Sequence, residues 1–302
     1  MALLMARQVG PLHTVSDFAR ATAGAELNVA VGLSRLGFKV DYVSRLGKDS
    51  FGRNLLEFMV AEGIDVRYVS IDDTFTTGFM LKSLADDGSD PEIEYFRRGS
   101  AASRLSLADI GGVGFAGARW LHLTGISPAL SQSCRELSFV MATRAIAEGV
   151  VVSFDPNLRR RLWSSGQEMK ETINALAALA DVVLPGLSEG KLLTGCDSAA
   201  GIADYYLSHG ARQVIVKLGP KGAYYASTEG TGTVPAPTVT PLVDTVGAGD
   251  GFAVGVISAM LDGLSLREAA ARGNAIGARV TQFRGDCEGL PNRTQLESTT
   301  LS

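Results

Sequence analysis

The chain is expected to adopt an α/β fold, a mainly parallel sheet wrapped by helices and interrupted by a small β lid. Three observations predict it. Helical and strand-like segments alternate over most of the 302 residues, the pattern of a parallel sheet whose connections are helices. One stretch, 66–98, breaks the alternation with three consecutive extended runs joined by turns rich in Asp, Gly and Pro. Glycine is abundant, at 35 residues, and much of it falls at segment ends, where tight turns and ligand-facing backbone need conformational freedom or close approach.

In chain order, Leu27, Val31 and Leu36, closed by Gly37, suggest a helix from about Glu26, followed by a strand over 40–46. Residues 51–61 read as a helix stopped by Gly63. The three extended runs are 66–71, 78–85 and 92–97, and strands in succession without a helix predict an antiparallel insertion. Residues 105–110 are helix-like. Strands are then expected at 120–123, 150–154, 182–184 and 214–218, with helical patterns between them, and two helices at 249–261 and 266–283. No repeat or linker divides the chain, so residues 1–302 are expected to form one domain.

Composition narrows the function. Apolar residues make up 46% of the chain and charged residues 20%, enough to bury a large core. Lys plus Arg is 28 against Asp plus Glu at 32, which offers no basic stripe for a nucleic-acid backbone. No apolar run approaches the length of a membrane span, and no cleavage site follows the short apolar start. Cys134, Cys196 and Cys287 are scattered without metal-ligand spacing, which fits a reducing cytoplasm.

Two glycine motifs carry little. Gly112, Gly114 and Gly117 match GxGxxG but precede a strand instead of leaving one. Gly186, Ser188 and Gly190 match the nucleophile elbow between a strand and a helix, yet the one downstream His, His209, comes too soon and ahead of a strand. His13, His122 and His209 read as structural. The strongest segment is Asp244-Thr245-Val246-Gly247-Ala248-Gly249-Asp250, running into an apolar helix. Small residues at a buried helix start make an anion site from free N–H groups and the helix dipole. Asp250 then has two readings, a carboxylate complementing the dipole or a base that takes the proton of an attacking hydroxyl.

At these residues the chain resembles the ribokinase (PfkB-type) carbohydrate kinase family. DTVGAGD is similar to its C-terminal signature, and Gly24-Ala25-Glu26-Leu27-Asn28-Val29-Ala30 through Leu36-Gly37 to its N-terminal one. Within the family the resemblance is to kinases of 2-keto-3-deoxygluconate, through residues 95–102 (YFRRGSAA), 155–159 (DPNLR) and 285–291 (GDCEGLP). It implies a doubly wound sheet with a small β lid, discontinuous and drawn from about 1–20 and 66–98. It further implies ATP-dependent phosphorylation of the terminal hydroxyl, with Mg2+ bridging the phosphates.

Carried over by motif, Asp250 would be the general base and Gly247, Ala248 and Gly249 the anion hole. Lys217, Gly219 and Gly222 resemble the nucleotide loop, and Asn274 lies on the helix that flanks adenine in relatives; an ordinary turn and a solvated helix face are the bland alternatives. Glu189 resembles an acid acting near magnesium, although its usual Asn partner is Gly186 here. For the acceptor, the resemblance implies Arg97 and Arg159, whose guanidinium groups suit a carboxylate or keto-acid oxygen pair, with Gly24, Glu26, Asn28, Tyr95 and Asp286 completing the pocket. The bland alternative is a solvated run at 159–161 and an Arg97–Glu94 pair. A potassium ion near Asp244 is left open. An exposed lid edge would favour a homo-oligomer.

The rivals are a kinase of the same family acting on fructose, ribose, a nucleoside or the galactonate epimer, a sensor without catalysis, for which a base has no use, and the hydrolase. In the resembling kinases a buried strand precedes the segment matching Met1-Ala2-Leu3-Leu4-Met5. GAELNVA begins here at Gly24, earlier than that layout implies, so a strand of about 5 to 10 residues is expected upstream of Met1 in the natural protein.

Overall fold

The computed structural model describes residues 1–84 and 91–300. Its contacts gather the chain into two compact units. One comprises Met1–Leu105, Val239–Gly251 and the residues from Ile276 onward; the other comprises Ser106–Thr238 and Phe252–Ala275.

The first unit opens with β1 (Ala2–Val9), β2 (Phe18–Thr22), α1 (Ala25–Arg35), β3 (Ser44–Gly47), α2 (Ser50–Ala61), β4 (Val69–Asp72), β5 (Phe79–Leu84) and β6 (Ile93–Phe96). Four strands form a sheet in the order β2-β1-β5-β6, antiparallel except where β1 lies beside β5. Period-two alternation brings Leu3 and Met80 into one cluster with Ala23, and Met1, Met5, Ala21 and Ile93 pack around them. The same alternation buries Lys82, two residues beyond Met80 on β5. Helix α1 is buried over most of its length, with Leu27, Asn28, Val29, Ala30, Val31 and Leu33 out of water, as expected of a helix whose middle is mostly apolar.

One expectation fails here. The first of the three extended runs does not join the antiparallel sheet: β4 pairs in parallel with β3, from Ser44 opposite Val69 to Gly47 opposite Asp72, as a separate two-stranded ladder. A short strand carries no local mark of its partner, so succession in sequence was a poor guide to pairing. The strand expected over 40–46 is regular only from Ser44. Ala85, expected to close the second run, lies outside the described residues.

The second unit holds β7 (Trp120–Thr124), α3 (Ser127–Leu130), α4 (Gln132–Ala147), β8 (Val151–Asp155), α5 (Gly166–Ala177), β9 (Val182–Val183), α6 (Leu187–Thr194), α7 (Ala199–Ser208), β10 (Gln213–Lys217), β11 (Ala223–Ser227) and β12 (Gly230–Val234). They form a six-stranded sheet in the order β12-β11-β10-β9-β8-β7. Strands β7 to β10 run parallel, and β11 and β12 add an antiparallel hairpin. In β10 the consecutive Val214, Ile215 and Val216 are all at 0% exposure, so both faces of the strand are covered, as in a parallel sheet packed with helices on each side. The helix-like 105–110 is instead a single 3-10 turn, Leu107–Ile110, closed by a capping box of Ser106 and Asp109.

Helices α8 (Ala248–Leu261), α9 (Leu266–Val280) and α10 (Arg293–Thr300) complete the chain. In the second unit α8 and α9 approach until a Cβ on Gly255 would lie 2.5 Å from the Arg272 carbonyl oxygen. Helix α9 ends at Val280, short of 283, where Gln282 and Phe283 bond back to Arg279 and Val280 as turns. The three cysteines are free, and no helix among the described residues is long and apolar enough to cross a membrane.

Candidate active site

In the first unit the site grows from the turn that starts α8. Asp244 Oδ1 accepts from Val246 N at 3.0 Å, bending the chain toward the helix. Gly247 then takes a φ of +85°, and a Cβ there would fall 2.5 Å from the Asp286 carbonyl oxygen. Conformation and space both demand glycine. The helix begins at once, with Gly251 N bonding to Gly247 O at 2.9 Å and Ala248 N reaching back to Thr245 O at 3.3 Å; a helix start of small residues suits an anion through its dipole and accessible backbone.

Asp250 sits in that first turn, buried, and its Oδ2 accepts from Asn28 Nδ2 on α1 at 2.7 Å. A buried amide donor fixes the orientation of the carboxylate, as a positioned proton acceptor requires. Asn28 was expected to line the acceptor pocket; the structure gives it this contact with Asp250. Gly24 and Glu26 stand at the start of the same helix, Gly24 with a φ of 144° that favours glycine.

Asp286 follows α9 and is buried. Its Oδ1 accepts from Lys82 Nζ at 3.3 Å, and the same ammonium lies 2.5 Å from Asp244 Oδ2. Burial raises the Asp286 carboxyl above its ordinary value, and the charge of Lys82 opposes that rise. Arg97, just past β6, is 8% exposed, and its guanidinium lies 4.3 Å from the centroid of the Tyr95 ring. A stacked guanidinium keeps its edge for a planar acceptor. Gly78 makes room, since a Cβ on it would meet Arg97 Cβ at 3.1 Å.

In the second unit the candidate residues gather at the carboxyl ends of parallel strands, where open α/β sheets bind ligands. Lys217 Nζ, ending β10, pairs with Asp155 Oδ2, ending β8, at 2.6 Å. Asp155 is 1% exposed; burial raises its carboxyl, and Lys217 opposes the rise. Its Oδ1 accepts from Asn157 N at 3.1 Å, where the backbone turns left-handed with φ 38°. Leu158 N then donates to Glu189 Oε1 at 2.7 Å, and Gly186 N donates to Glu189 Oε2 at 2.9 Å. Glu189, in the first turn of α6, thus fastens the loop that delivers Arg159. Arg159 is half-buried, and its Nη1 donates to Leu158 O at 3.0 Å.

Beside these lies the loop expected to hold a nucleotide. Leu218 N bonds to Gly222 O at 2.8 Å, and Gly219 and Gly222 take φ values of 62° and 98°. A Cβ on Gly222 would collide with the Val234 carbonyl. Asn274 has its Nδ2 committed to Val234 O at 3.0 Å and Pro235 O at 3.2 Å, which ties α9 to the chain after β12. Among the described residues no group of three or more His, Cys, Asp or Glu side chains could hold a metal. The elbow residue Ser188 lies in α6, while His209 directs Nδ1 at Tyr205 O, 2.6 Å away, and stacks on the Tyr205 ring.

The sequence reading missed Lys82. Its signal was the inward register it shares with Met80, where a lysine contradicts the apolar pattern.

A glycine turn at a strand end, a helix start of small residues and a buried carboxylate in its first turn are the kinds of part that phosphoryl transfer to an alcohol calls for. The chain matches the pfkB family carbohydrate kinase profile over residues 3–293 and belongs to that family. It is 48% identical to the 2-dehydro-3-deoxygluconokinase of Bacillus subtilis (strain 168), covering 99% of this chain and 92% of that protein. Probable fructokinase-7 of Arabidopsis thaliana is 32% identical over 91% of this chain and 82% of its own. Among solved structures, a PfkB protein from Polaromonas sp. JS666 matches with a TM-score of 0.91 and 49% identity, covering 99% of this chain and 96% of that one. A putative ribokinase II from E. coli in complex with ATP and Mg+2 matches at 0.90 and 26% identity over 99% and 96%. The fold is therefore ribokinase-like and the protein a carbohydrate kinase.

Proposed function

We propose that this kinase transfers the γ-phosphoryl group of ATP to the 6-hydroxyl of 2-keto-3-deoxygluconate. The observation that carries the reading is the 48% identity, over 99% of the chain, to a protein named for that activity. The buried Arg97 stacked on Tyr95 supports an acceptor with an acidic head. Asp250, oriented by Asn28, takes the hydroxyl proton as the oxygen bonds to the γ-phosphorus; the bond to the β-phosphate oxygen breaks and ADP leaves. The first-turn amides of α8 stabilise the charge on the transferring group.

Magnesium, when bound, neutralises phosphate charge. Both Glu189 oxygens take backbone donors, and Glu189 would act on the metal indirectly, through water. The oxygens of Asp244 take Val246 N and Lys82 Nζ as donors, and potassium is not part of the proposal. The edges of the four-stranded sheet, β2 and β6, are the proposed route to self-association, which sedimentation would measure.

The second reading, a fructokinase, is favoured by the 32% identity to the Arabidopsis protein. A coupled ADP-release assay across neutral sugars, sugar acids and keto-deoxy sugar acids separates the two. The keto-deoxy acid is expected to give the highest kcat/KM, and a preference for fructose would reject the proposal.

A further inference from the structure

We infer that Lys82 is a positioning residue for the acceptor site: its buried ammonium ties the carboxylate of Asp286 to that of Asp244. This sets the acceptor-side aspartate against the turn that opens α8. The inference rests on the functional reading above for the role of Asp286 and goes beyond it in assigning Lys82.

The geometry is specific. The side chains of Lys82, Asp244 and Asp286 are 4%, 7% and 6% exposed, with the ammonium 2.5 Å from one carboxylate and 3.3 Å from the other. Each partner has a second task. Asp244 spends its other oxygen on Val246 N, and Val243 N and Asp244 N both bond to Thr281 O. Gly247 rests against the Asp286 backbone. Lys82 therefore closes a triangle whose other corners are the helix-start turn and residue 286.

Stability alone is a poor account of this arrangement. A buried ion cluster is commonly matched or bettered by apolar residues of similar volume, and Lys82 sits two residues beyond Met80, whose neighbours Leu3 and Ala23 are apolar. What an apolar residue could not do is hold two carboxylates of like charge in one buried place. Without the ammonium, desolvation and mutual repulsion would push Asp286 toward its neutral form or turn it away from the pocket.

The test is a double-mutant cycle between Lys82→Met and Asp286→Asn, with kcat and KM measured for acceptor and for ATP separately. Lys82→Met is expected to raise the acceptor KM at least tenfold and leave the KM for ATP within threefold. In the Asp286→Asn background the same change is expected to alter acceptor kcat/KM by less than threefold, because its route of action is gone. An acceptor KM within threefold of wild type, an equal rise in both KM values, or an undiminished effect in the Asp286→Asn background would each overturn the inference. Should Lys82→Met fail to fold, Lys82→Met/Asp244→Asn, which removes one charge of each sign, takes its place, compared with Asp244→Asn alone. The wild type is assayed first against the sugar panel. If it prefers another sugar, the functional reading falls, and the cycle is run on that sugar, where Lys82 stands or falls separately.

Discussion

A carboxylate in the first turn of a helix is common, and dipole complementarity explains most of them. What distinguishes Asp250 is the side-chain amide of Asn28, 2.7 Å away on a different helix. Replacement by Asn keeps the shape and removes the base, so Asp250→Asn is expected to lower kcat by at least roughly 100-fold with ATP binding retained. Activity within tenfold of wild type would remove Asp250 from the chemistry. Arg97→Ala and Arg159→Ala are each expected to weaken acceptor binding by about 1.5 to 3 kcal/mol, the range for hydrogen bonds to charged groups. Steady-state kinetics would show this as a raised acceptor KM beside an unchanged KM for ATP. At this scale the sequence was most legible where chemistry and backbone shape coincide, as in 244–250. It was least legible where a side chain acts through a contact distant in sequence. Lys82 and Asp286 are 204 positions apart, and no local pattern announces the pair.

Among the elements, the helix-start turn and the 155–159 loop make separate demands. Ala at Gly247 would need a left-handed backbone and space held by Asp286. Gly247→Ala is therefore expected to cost about 2 kcal/mol or more, seen in calorimetry as a melting temperature lower by at least about 4 °C. Glu189→Gln leaves one carboxamide oxygen for two backbone donors. Its expected effect is a roughly tenfold rise in acceptor KM through a loosened Arg159 loop. A change confined to the magnesium dependence would instead return Glu189 to the phosphate side. The core strands were legible because buried parallel strands are β-branched on both faces, as Val214 to Val216 are. The pairing of β4 with β3 was not, because partner choice depends on what else the chain brings alongside. The β11–β12 hairpin was also invisible, since Gly230 and Gly232 dilute the strand signal of β12.

For the whole molecule, buried titratable groups set opposing responses to pH. His122 is half-buried, but its Nε2 is sealed from solvent and has no hydrogen-bond partner among the described residues. Burial, with a contribution from the charge of Lys217, lowers it to about 3. Its stabilising contribution is therefore present above the ordinary histidine value and lost as pH falls toward the folded one, at up to about 1.4 kcal/mol per pH unit. Asp155 and Asp286 are raised by burial, so theirs is present below the ordinary carboxylate value and lost as pH rises through the folded one. Thermal melts of wild type and His122→Gln should show a steeper acid loss in wild type, and parallel curves would exclude His122 as the cause.

The way the chain is shared between its two units has a consequence for how the protein is made. The second unit needs only residues 106–275, less the short stretch Val239–Gly251. The first draws on both ends of that stretch: Asp250 waits on α8 and Asp286 follows α9, while their partners Asn28 and Lys82 are synthesised long before. On a ribosome, the first 105 residues must leave the exit tunnel and remain unfinished until the segment from Ile276 emerges. Chains ended at residue 275 and released from the ribosome should therefore protect the second unit from protease and leave α1 and the four-stranded sheet open to cleavage. During that interval the apolar faces around Leu3 and Met80 are the surfaces a chaperone would meet.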